Sequence, residues 1–294
     1  MSVNEANRPA MVAGVLLVVA GAVCYGLLPL PLEILRDEGV GSTSSLLVRF
    51  GVSIVVLGAI VAWRRCPGGA LRAPLFAGLG IGAATIFLFE GYARLPASTT
   101  ILVFYTYPAF TLVLASLLFR AGLEWRTILA IALVLGAAGL IVTPGSLEAT
   151  PLGAVLITFG APLGYGLYLA CLGAADGHVL WRTLVVSMAA CVVTLVWHLV
   201  SDASLGWPVS TNGWISLGWV GLGTGILATC LVVAGTAMAG SGRSAVAGSA
   251  ELVTVLLTGW LLFGEALHWQ AVAGALAILA AIVVSLPRAS RRSW

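Results

Sequence analysis

Residues 117–125 read LLFRAGLEW, and residues 261–269 read LLFGEALHW, which repeats the same pattern 144 positions later. Three further pairs occur in the same order along the chain: Gly78–Leu79–Gly80 with Gly221–Leu222–Gly223, Tyr25–Gly26–Leu27 with Tyr165–Gly166–Leu167, and Arg49 with Arg182. Four pairs of matching positions in the same order along the chain would rarely arise by chance. The sequence therefore predicts an internal duplication, with one unit over residues 1–145 and a second over residues 146–294.

The composition places most of the chain in lipid. Of the 294 residues 60% are hydrophobic and only 9% are charged, and the mean hydropathy is +1.08. Soluble domains carry roughly 25% charged residues, so a soluble enzyme and a nucleic-acid-binding protein are both excluded. A stretch of about 20 apolar residues crosses a bilayer as a helix, because lipid leaves the backbone no other hydrogen-bond partner. The hydropathy pattern predicts an all-α membrane protein with ten such spans, at residues 10–32, 44–63, 73–94, 98–119, 125–143, 152–174, 180–200, 212–238, 243–263 and 269–286.

Each predicted unit holds five spans, which is an odd number. The second unit must therefore enter the membrane from the opposite face, and the two units form an inverted repeat. Transporters use this arrangement for alternating access, with the substrate near the membrane midplane. The alternative is that the duplication supplied only a stable bundle.

The basic residues predict the orientation of the chain. All 14 are arginines, and the predicted spans put 11 of them on one side of the membrane and three (Arg36, Arg49 and Arg94) on the other. Because positive residues stay on the cytoplasmic side, both termini are expected to be cytoplasmic. The absence of lysine from the sequence excludes a P-loop and a lysine Schiff base.

Glu251 is the sharpest candidate for a transport residue, because an ionisable side chain within a span usually faces a cavity or a partner. It could hold a substrate ammonium or accept a proton. A structural glutamate hydrogen-bonded to a neighbouring span is the equal alternative. Its counterpart in the first unit is Tyr107.

A second candidate group contains Arg49, Glu90 and Arg94, which the predicted spans place near the outer face. These three residues are predicted to form a paired outer gate. The simpler interpretation, a plain ion bridge near the interface, is favoured on general grounds because charges there pair or reach water cheaply.

Mid-span aromatic and hydroxyl side chains form the third group. Their rings can stack on an apolar substrate while their hydroxyls bind polar atoms, although core packing is the ordinary role of any one of them. The predicted substrate-binding set is Tyr25, Thr85, Phe87, Tyr107, Tyr165, Thr229 and Glu251. Pro29, Pro108 and Pro162 are predicted to kink their helices, since proline removes a backbone hydrogen bond.

The kinds of polar side chain in the predicted spans limit the class of substrate that the protein could bind. Asparagine and glutamine are confined to Asn4, Asn7, Asn212 and Gln270, outside the mid-membrane zone. The remaining mid-span hydroxyl, aromatic and acidic side chains suit a small, largely apolar zwitterion as the substrate. No donor for its carboxylate can be identified from the sequence. Histidines fall at predicted span ends, so no catalytic site, metal site or cofactor is expected.

The five-plus-five plan resembles the drug/metabolite transporter superfamily, specifically its EamA-type carriers. The resemblance rests on Tyr105–Thr106–Tyr107–Pro108, on Phe263–Gly264–Glu265–Ala266–Leu267, and on the glycine-rich segments Gly136–Ala137–Ala138–Gly139 and Gly274–Ala275. Two positions depart from the family pattern: Phe119–Arg120–Ala121 replaces a Gly-Glu pair, and Glu251–Leu252 stands where a proline is usual. The overall pattern is most similar to the aromatic and neutral amino-acid exporters.

This resemblance implies a secondary transporter in a bacterial inner membrane, whose partners are a small amino-acid substrate and the lipid bilayer, with no nucleic acid. It also implies a cavity lined by spans one, three, four, six, eight and nine. Ten helices can work as a monomer. The alternatives are an exporter of another small metabolite or drug on the same fold, an intramembrane enzyme, and a non-transporting structural or receptor subunit.

Overall fold

The structure is a computed structural model that describes residues 8–95, 97–122, 124–141, 151–201, 204–263 and 269–286. Every regular element in these ranges is a helix, and they contain no strand. The prediction of an all-α protein is confirmed.

The first half of the described chain contains seven helices. Their bounds are α1 Arg8–Gly26, α2 Pro29–Asp37, α3 Ser42–Arg64, α4 Arg72–Arg94, α5 Ala97–Phe104, α6 Tyr107–Phe119 and α7 Trp125–Ile141. The second half contains eight α-helices and one π-helical segment. Their bounds are α8 Leu152–Thr158, α9 Gly160–Gly173, α10 Val179–Ser201, α11 Thr211–Gly218, the π segment Trp219–Ala228, α12 Thr229–Ala239, α13 Ser241–Gly248, α14 Ala250–Phe263 and α15 Trp269–Ser285.

Seven helical stretches of the described chain are long and apolar enough to cross a membrane. They are Arg8–Asp37, Ser42–Arg64, Arg72–Arg94, Leu152–Gly173, Val179–Ser201, Thr211–Ala239 and Ser241–Leu262. They correspond to predicted spans one, two, three, six, seven, eight and nine. Predicted spans four, five and ten contain shorter apolar helices of 10–17 residues. The chain is a multi-pass membrane protein, and the count of ten spans stays a prediction.

Several spans are broken near the middle. Pro29, Pro108 and Pro162 each lie in the first turn of a new helix, where a missing N–H costs nothing. The ninth span breaks at Ser249 without a proline, and there the Ser249 N–H donates to the Val246 carbonyl at 3.1 Å. No residue type in the sequence signals this second kind of break.

Helices of the two halves pack in matched pairs. α1 packs along α12, and correspondingly α9 packs along α4; α3 packs on the π segment, and correspondingly α10 packs on α4. α7 packs on α15, which are the last helices of the two halves. Glycines permit the closest approaches: a Cβ added to Gly80 would lie 2.6 Å from the Gly164 carbonyl oxygen. Exchanging the two halves therefore leaves the pattern of these contacts unchanged.

One end of the bundle, here called the Glu38 face, is where the α2–α3 turn meets the segment before α11. The Glu38 carboxylate accepts hydrogen bonds from the Val209 N–H at 2.8 Å, from the Ser210 N–H at 3.2 Å and from the Ser210 hydroxyl. The Gly206 N–H donates to the Ser44 hydroxyl at 3.0 Å. These bonds fasten the first half of the chain to the second at this face.

The opposite end, here called the Arg243 face, is fastened by one guanidinium. Arg243 pairs with both carboxylate oxygens of Glu124, at 2.8 and 2.6 Å. It also donates to the Ser285 carbonyl at 3.1 Å, to the Ala239 carbonyl at 3.3 Å and to the Met11 sulfur at 3.4 Å. Met11 and Ser285 lie near the two ends of the described chain, so both of those ends meet at this face.

Replacing Glu38 by alanine is expected to lower the melting temperature of the purified protein by a few degrees at neutral pH. The bonds from Ser210 and Val209 lower the pKa of Glu38 below that of a free glutamate, about 4.3. A carboxylate whose pKa is lowered by folding stabilises the folded protein at pH values above its unfolded pKa. This stabilisation is lost as the pH falls through the folded pKa. The difference between wild type and Glu38→Ala should therefore shrink as the pH falls below the pKa of a free glutamate and disappear below the lowered pKa of folded Glu38, as measured by thermal unfolding across pH.

The matched control for this prediction is Asp37→Ala, which removes the exposed carboxylate next to Glu38 along the chain. It should leave the melting temperature near the wild-type value. A Glu38→Ala protein that melts like wild type at neutral pH would show that these bonds contribute nothing to stability.

Candidate central cavity

A cavity of about 210 Å³ lies between the halves of the bundle. Its walls come from regular helix faces, at spacings of three, four and seven residues. The first span contributes Tyr25, Leu28, Pro29 and Leu32, and α4 contributes Thr85, Leu88, Phe89 and Tyr92. Spans one, three, four, six, eight and nine all contribute lining residues, and α3 of the second span adds Ser45, Leu46 and Arg49.

The cavity lies in the half of the bundle nearer the Glu38 face. α2 runs toward Glu38 and α3 starts just after it, and both contribute to the walls close to that end. In the other half the helices are in close contact. A Cβ added to Gly14 of α1 would lie 2.7 Å from the Ala239 nitrogen of α12, and one added to Gly173 of α9 would lie 3.1 Å from the Ser241 nitrogen of α13. The conformation is therefore closed toward the Arg243 face.

Two opposite charges share this cavity. Glu251, in the first turn of α14, is half-buried and lines the wall together with Arg49 of α3, which is only 6% exposed. The two charges share the cavity, but no salt bridge joins them within the described ranges. Gly26 allows the end of α1 to approach α14 closely, since a Cβ there would lie 2.8 Å from the Glu251 carbonyl oxygen.

Arg49 is held by aromatic rings. Its guanidinium carbon lies 5.1 Å from the centre of the Tyr25 ring and 5.4 Å from that of Phe50. Such cation–π contacts stabilise a cation that has lost water. The Nε atom of Arg49 is buried and, within the described ranges, has no hydrogen-bond partner.

Aromatic side chains form the wall between α5 and α9. The Phe104 ring centre lies 5.6 Å from that of Tyr105 and 5.4 Å from that of Tyr165, and both contacts are edge-on. Edge-on pairs at these distances are favourable because the positive ring edge meets the negative ring face. Tyr25 and Tyr92 add two more rings to the lining.

Thr229 supports this wall from behind. Its hydroxyl donates to the Thr224 carbonyl at 2.9 Å, which is the spacing of a π-helix, and it lies 2.9 Å from the Tyr25 hydroxyl. Because the single hydroxyl hydrogen of Thr229 is already used, Tyr25 is the donor between them. Thr229 therefore fixes the orientation of Tyr25 without lining the cavity.

The structure brings together only part of the predicted substrate-binding set. Tyr25, Thr85, Tyr165 and Glu251 line the cavity, as does Pro29. Phe87, Tyr107 and Thr229 do not line it. Phe87 is 38% exposed and packs over Gly160, because it lies between Thr85 and Leu88 on the opposite side of α4.

Tyr107 is 1% exposed, and its hydroxyl donates to the Ala245 carbonyl of α13 at 3.0 Å. Its ring stacks edge-on against Tyr165 at 4.8 Å. Tyr107 thus joins the two broken spans behind the cavity wall. No substrate can reach it in this conformation.

The predicted gate is divided by the structure. Glu90 and Arg94 form an ion pair one turn apart on α4, with side chains 22% and 45% exposed, whereas Arg49 lies in the cavity. The structure does not place Arg49 in the ion pair that joins Glu90 and Arg94. A gating role for Glu90 and Arg94 stays a prediction, and an exposed pair of this kind contributes little to stability.

Sequence reasoning missed Phe89, Tyr92, Phe104 and Ser45 as lining residues. Phe89 and Tyr92 follow Thr85 by four and seven positions, which puts all three on one helix face. That spacing could have identified them. Among the described residues no cluster of three or more histidine, cysteine or acidic side chains could hold a metal.

Replacing Tyr107 by phenylalanine is expected to destabilise the protein by about 1 kcal/mol, the usual net value of one buried hydrogen bond. The aromatic ring that packs against Tyr165 remains, so the KM of transport should not change. Thermal unfolding and transport kinetics of the same preparation measure the two effects. An altered KM with unchanged stability would mean that Tyr107 contacts the substrate.

Comparison with known proteins identifies one domain in this chain. Residues 12–143 match the EamA-like transporter family, a member of the drug/metabolite transporter superfamily. A solved crystal structure superimposes with a TM-score of 0.75 at 16% sequence identity, covering 92% of this chain and 96% of that one. At this identity the likeness shows the fold alone. The comparison with curated proteins finds no match.

The match over residues 12–143 is to a transporter family, and the described helices include seven that are long and apolar enough to cross a membrane. The family motif at the end of the ninth span, Gly264–Glu265–Ala266–Leu267, lies outside the described residues.

Proposed function

We propose that the protein exports neutral and aromatic amino acids across a bacterial inner membrane, as a secondary transporter that works by alternating access around the central cavity. The observation that carries the proposal is that one cation, Arg49, and one anion, Glu251, line a single chamber whose other walls are largely apolar and aromatic. A small zwitterion with an apolar side chain matches that combination.

The packing supports the alternating-access part of the proposal. Contacts of α1 with α12 have their counterpart in those of α9 with α4, as two inverted five-span units would produce. In such an arrangement, exchanging the conformations of the two units moves the opening from one face to the other. Residues 1–145 and 146–294 are the proposed units.

The orientation is part of the same proposal. Arg64, Arg72, Arg126 and Arg243 lie at helix ends that belong to the Arg243 face, where positive residues would be cytoplasmic. Both termini would then be cytoplasmic, and the cavity would open to the outside. We propose a monomer as the working unit, since the cavity is built within one chain.

Counterflow in proteoliposomes tests the proposed function. Vesicles loaded with unlabelled phenylalanine should accumulate labelled phenylalanine, methionine or threonine, whereas vesicles without protein should not. Comparing flux with and without a pH gradient shows whether a proton is coupled to the exchange. The empty-vesicle signal must be subtracted, because aromatic solutes cross lipid slowly on their own.

The outcomes separate the candidate functions. Stimulation by amino acids supports the proposal. Counterflow by another small metabolite or drug, with no stimulation by any amino acid, would replace the substrate while leaving the transporter. No exchange of any solute by correctly inserted protein would favour a structural or receptor subunit.

A further inference from the structure

Arg49 is built into the cavity wall in a way that leaves one of its buried guanidinium nitrogens without a partner among the described residues. Its carbonyl accepts the Ser53 hydroxyl at 2.8 Å, and the π segment presses against the same backbone, where a Cβ on Gly225 would lie 2.5 Å from the Arg49 carbonyl oxygen. The backbone is therefore fixed. The guanidinium lies over the rings of Tyr25 and Phe50 and interacts with the Tyr25 hydroxyl, whereas its buried Nε has no acceptor among the described residues.

A cation at this depth needs an anion, because an uncompensated charge within a span costs several kcal/mol. Glu251 supplies the compensating charge in the empty cavity. Two opposite charges taken out of water often add little to stability, since desolvation offsets their attraction. Their presence in a transport cavity is better explained by what they bind than by what they stabilise.

We propose that Arg49 binds the carboxylate of the substrate while Glu251 binds its ammonium group, so that the cavity selects zwitterionic α-amino acids with an apolar side chain. This assignment rests on the proposed function and names the donor that the sequence alone did not reveal. The substrate's two charged groups replace the Arg49–Glu251 interaction with two matched ones. The net charge of the occupied cavity stays zero.

The aromatic wall completes the assignment. With the two charged groups held between α3 and α14, the remaining volume is bounded by Phe104, Tyr105 and Tyr165 together with Tyr92. Rings in this arrangement accept an aromatic or branched side chain by edge-on contact. A solute that carries only one of the two charges would leave either Arg49 or Glu251 without a partner.

The test is competition against counterflow of labelled phenylalanine. Unlabelled phenylalanine is compared with phenethylamine, which lacks the carboxylate, and with 3-phenylpropionate, which lacks the ammonium. In the wild-type protein both analogues should compete at least about tenfold more weakly, the usual effect of losing one charged hydrogen-bonded partner. Phenylalanine methyl ester, whose carboxylate is blocked, should be weakened in the same way.

Arg49→Gln should then weaken phenylalanine at least about tenfold while leaving phenethylamine unchanged or improved. Arg49→Lys should restore part of the phenylalanine affinity, because it returns the charge. The matched control is Arg182→Gln: this arginine is equally buried near the start of α10, but its guanidinium donates to the Ala175 carbonyl outside the cavity. It should keep the wild-type competition pattern.

Each outcome has one meaning. Equal competition by phenylalanine, its methyl ester and phenethylamine in the wild type would overturn the assignment of Arg49, even if the Arg49→Gln protein failed to insert. Phenylalanine exchange that is unchanged in Arg49→Gln would do the same and leave the proposed function intact. Absence of amino-acid exchange in the wild type would instead refute the proposed function.

Discussion

Replacing Glu251 by glutamine should reduce counterflow of labelled phenylalanine by at least about tenfold without reducing the amount of protein in the membrane. Hydrogen bonds to charged groups contribute about 1.5–3 kcal/mol, and each 1.4 kcal/mol is a factor of ten. Glutamine keeps the size of the side chain, so the helix break at Ser249 and the approach of Gly26 to α14 remain. Only the charge that faces Arg49 is lost.

Two measurements on the same membranes check this prediction: immunodetection of the inserted protein and the initial rate of counterflow. Glu33→Gln is the matched control, because it removes an exposed carboxylate from α2 outside the cavity. Wild-type transport by Glu251→Gln would leave this glutamate with a structural role only.

Replacing Arg243 by alanine should open the closed half of the bundle. This guanidinium joins α1, the segment before α7, the α12–α13 junction and the end of α15, and all of these contacts must break if the cavity is to open toward this face. The Glu124 side chain is 54% exposed, so the ion pair itself contributes little. The bonds to the Ser285 and Ala239 carbonyls contribute about 1 kcal/mol each, so the loss of both shifts the population roughly thirtyfold.

The rate at which a thiol reagent modifies Cys171 measures this opening. It is 2% exposed in α9, two residues before Gly173, which packs against Ser241 of α13. With the other four cysteines replaced by alanine, Arg243→Ala should raise the rate of Cys171 modification by a thiol reagent in detergent several-fold. Arg72→Ala, which removes an exposed arginine from the same face, is the control. An unchanged rate in Arg243→Ala would mean that this arginine does not hold the face shut.

The sequence predicted the elements that depend on local pattern. Apolar runs located seven of the candidate spans, and Glu251 was recognised because a carboxylate is rare in such a run. Pro29, Pro108 and Pro162 were predicted to kink their helices from the chemistry of proline alone, and in the structure each lies in the first turn of a new helix. Tyr25 and Tyr165 were found through the internal repeat, and both line the cavity.

Other features depend on how helices pack and rotate against one another. Phe87 is two residues from Thr85, and its neighbours along the chain are equally apolar. The rotation of α4 about its axis nevertheless turns the Phe87 side chain outward. Arg49 was grouped with Glu90 by its depth in the membrane, whereas the structure places it in the wall of the cavity that Glu251 also lines. Neither rotation can be derived from hydropathy.

The most direct test of the account is whether a substrate occupies the cavity. In a protein whose native cysteines are replaced by alanine, Thr85→Cys places a thiol on the cavity wall, and Arg36→Cys places one at an exposed site of the Glu38 face. We predict that saturating phenylalanine slows the modification of Thr85→Cys several-fold by a water-soluble thiol reagent and leaves Arg36→Cys unchanged. Equal rates at Thr85→Cys with and without phenylalanine would contradict the account.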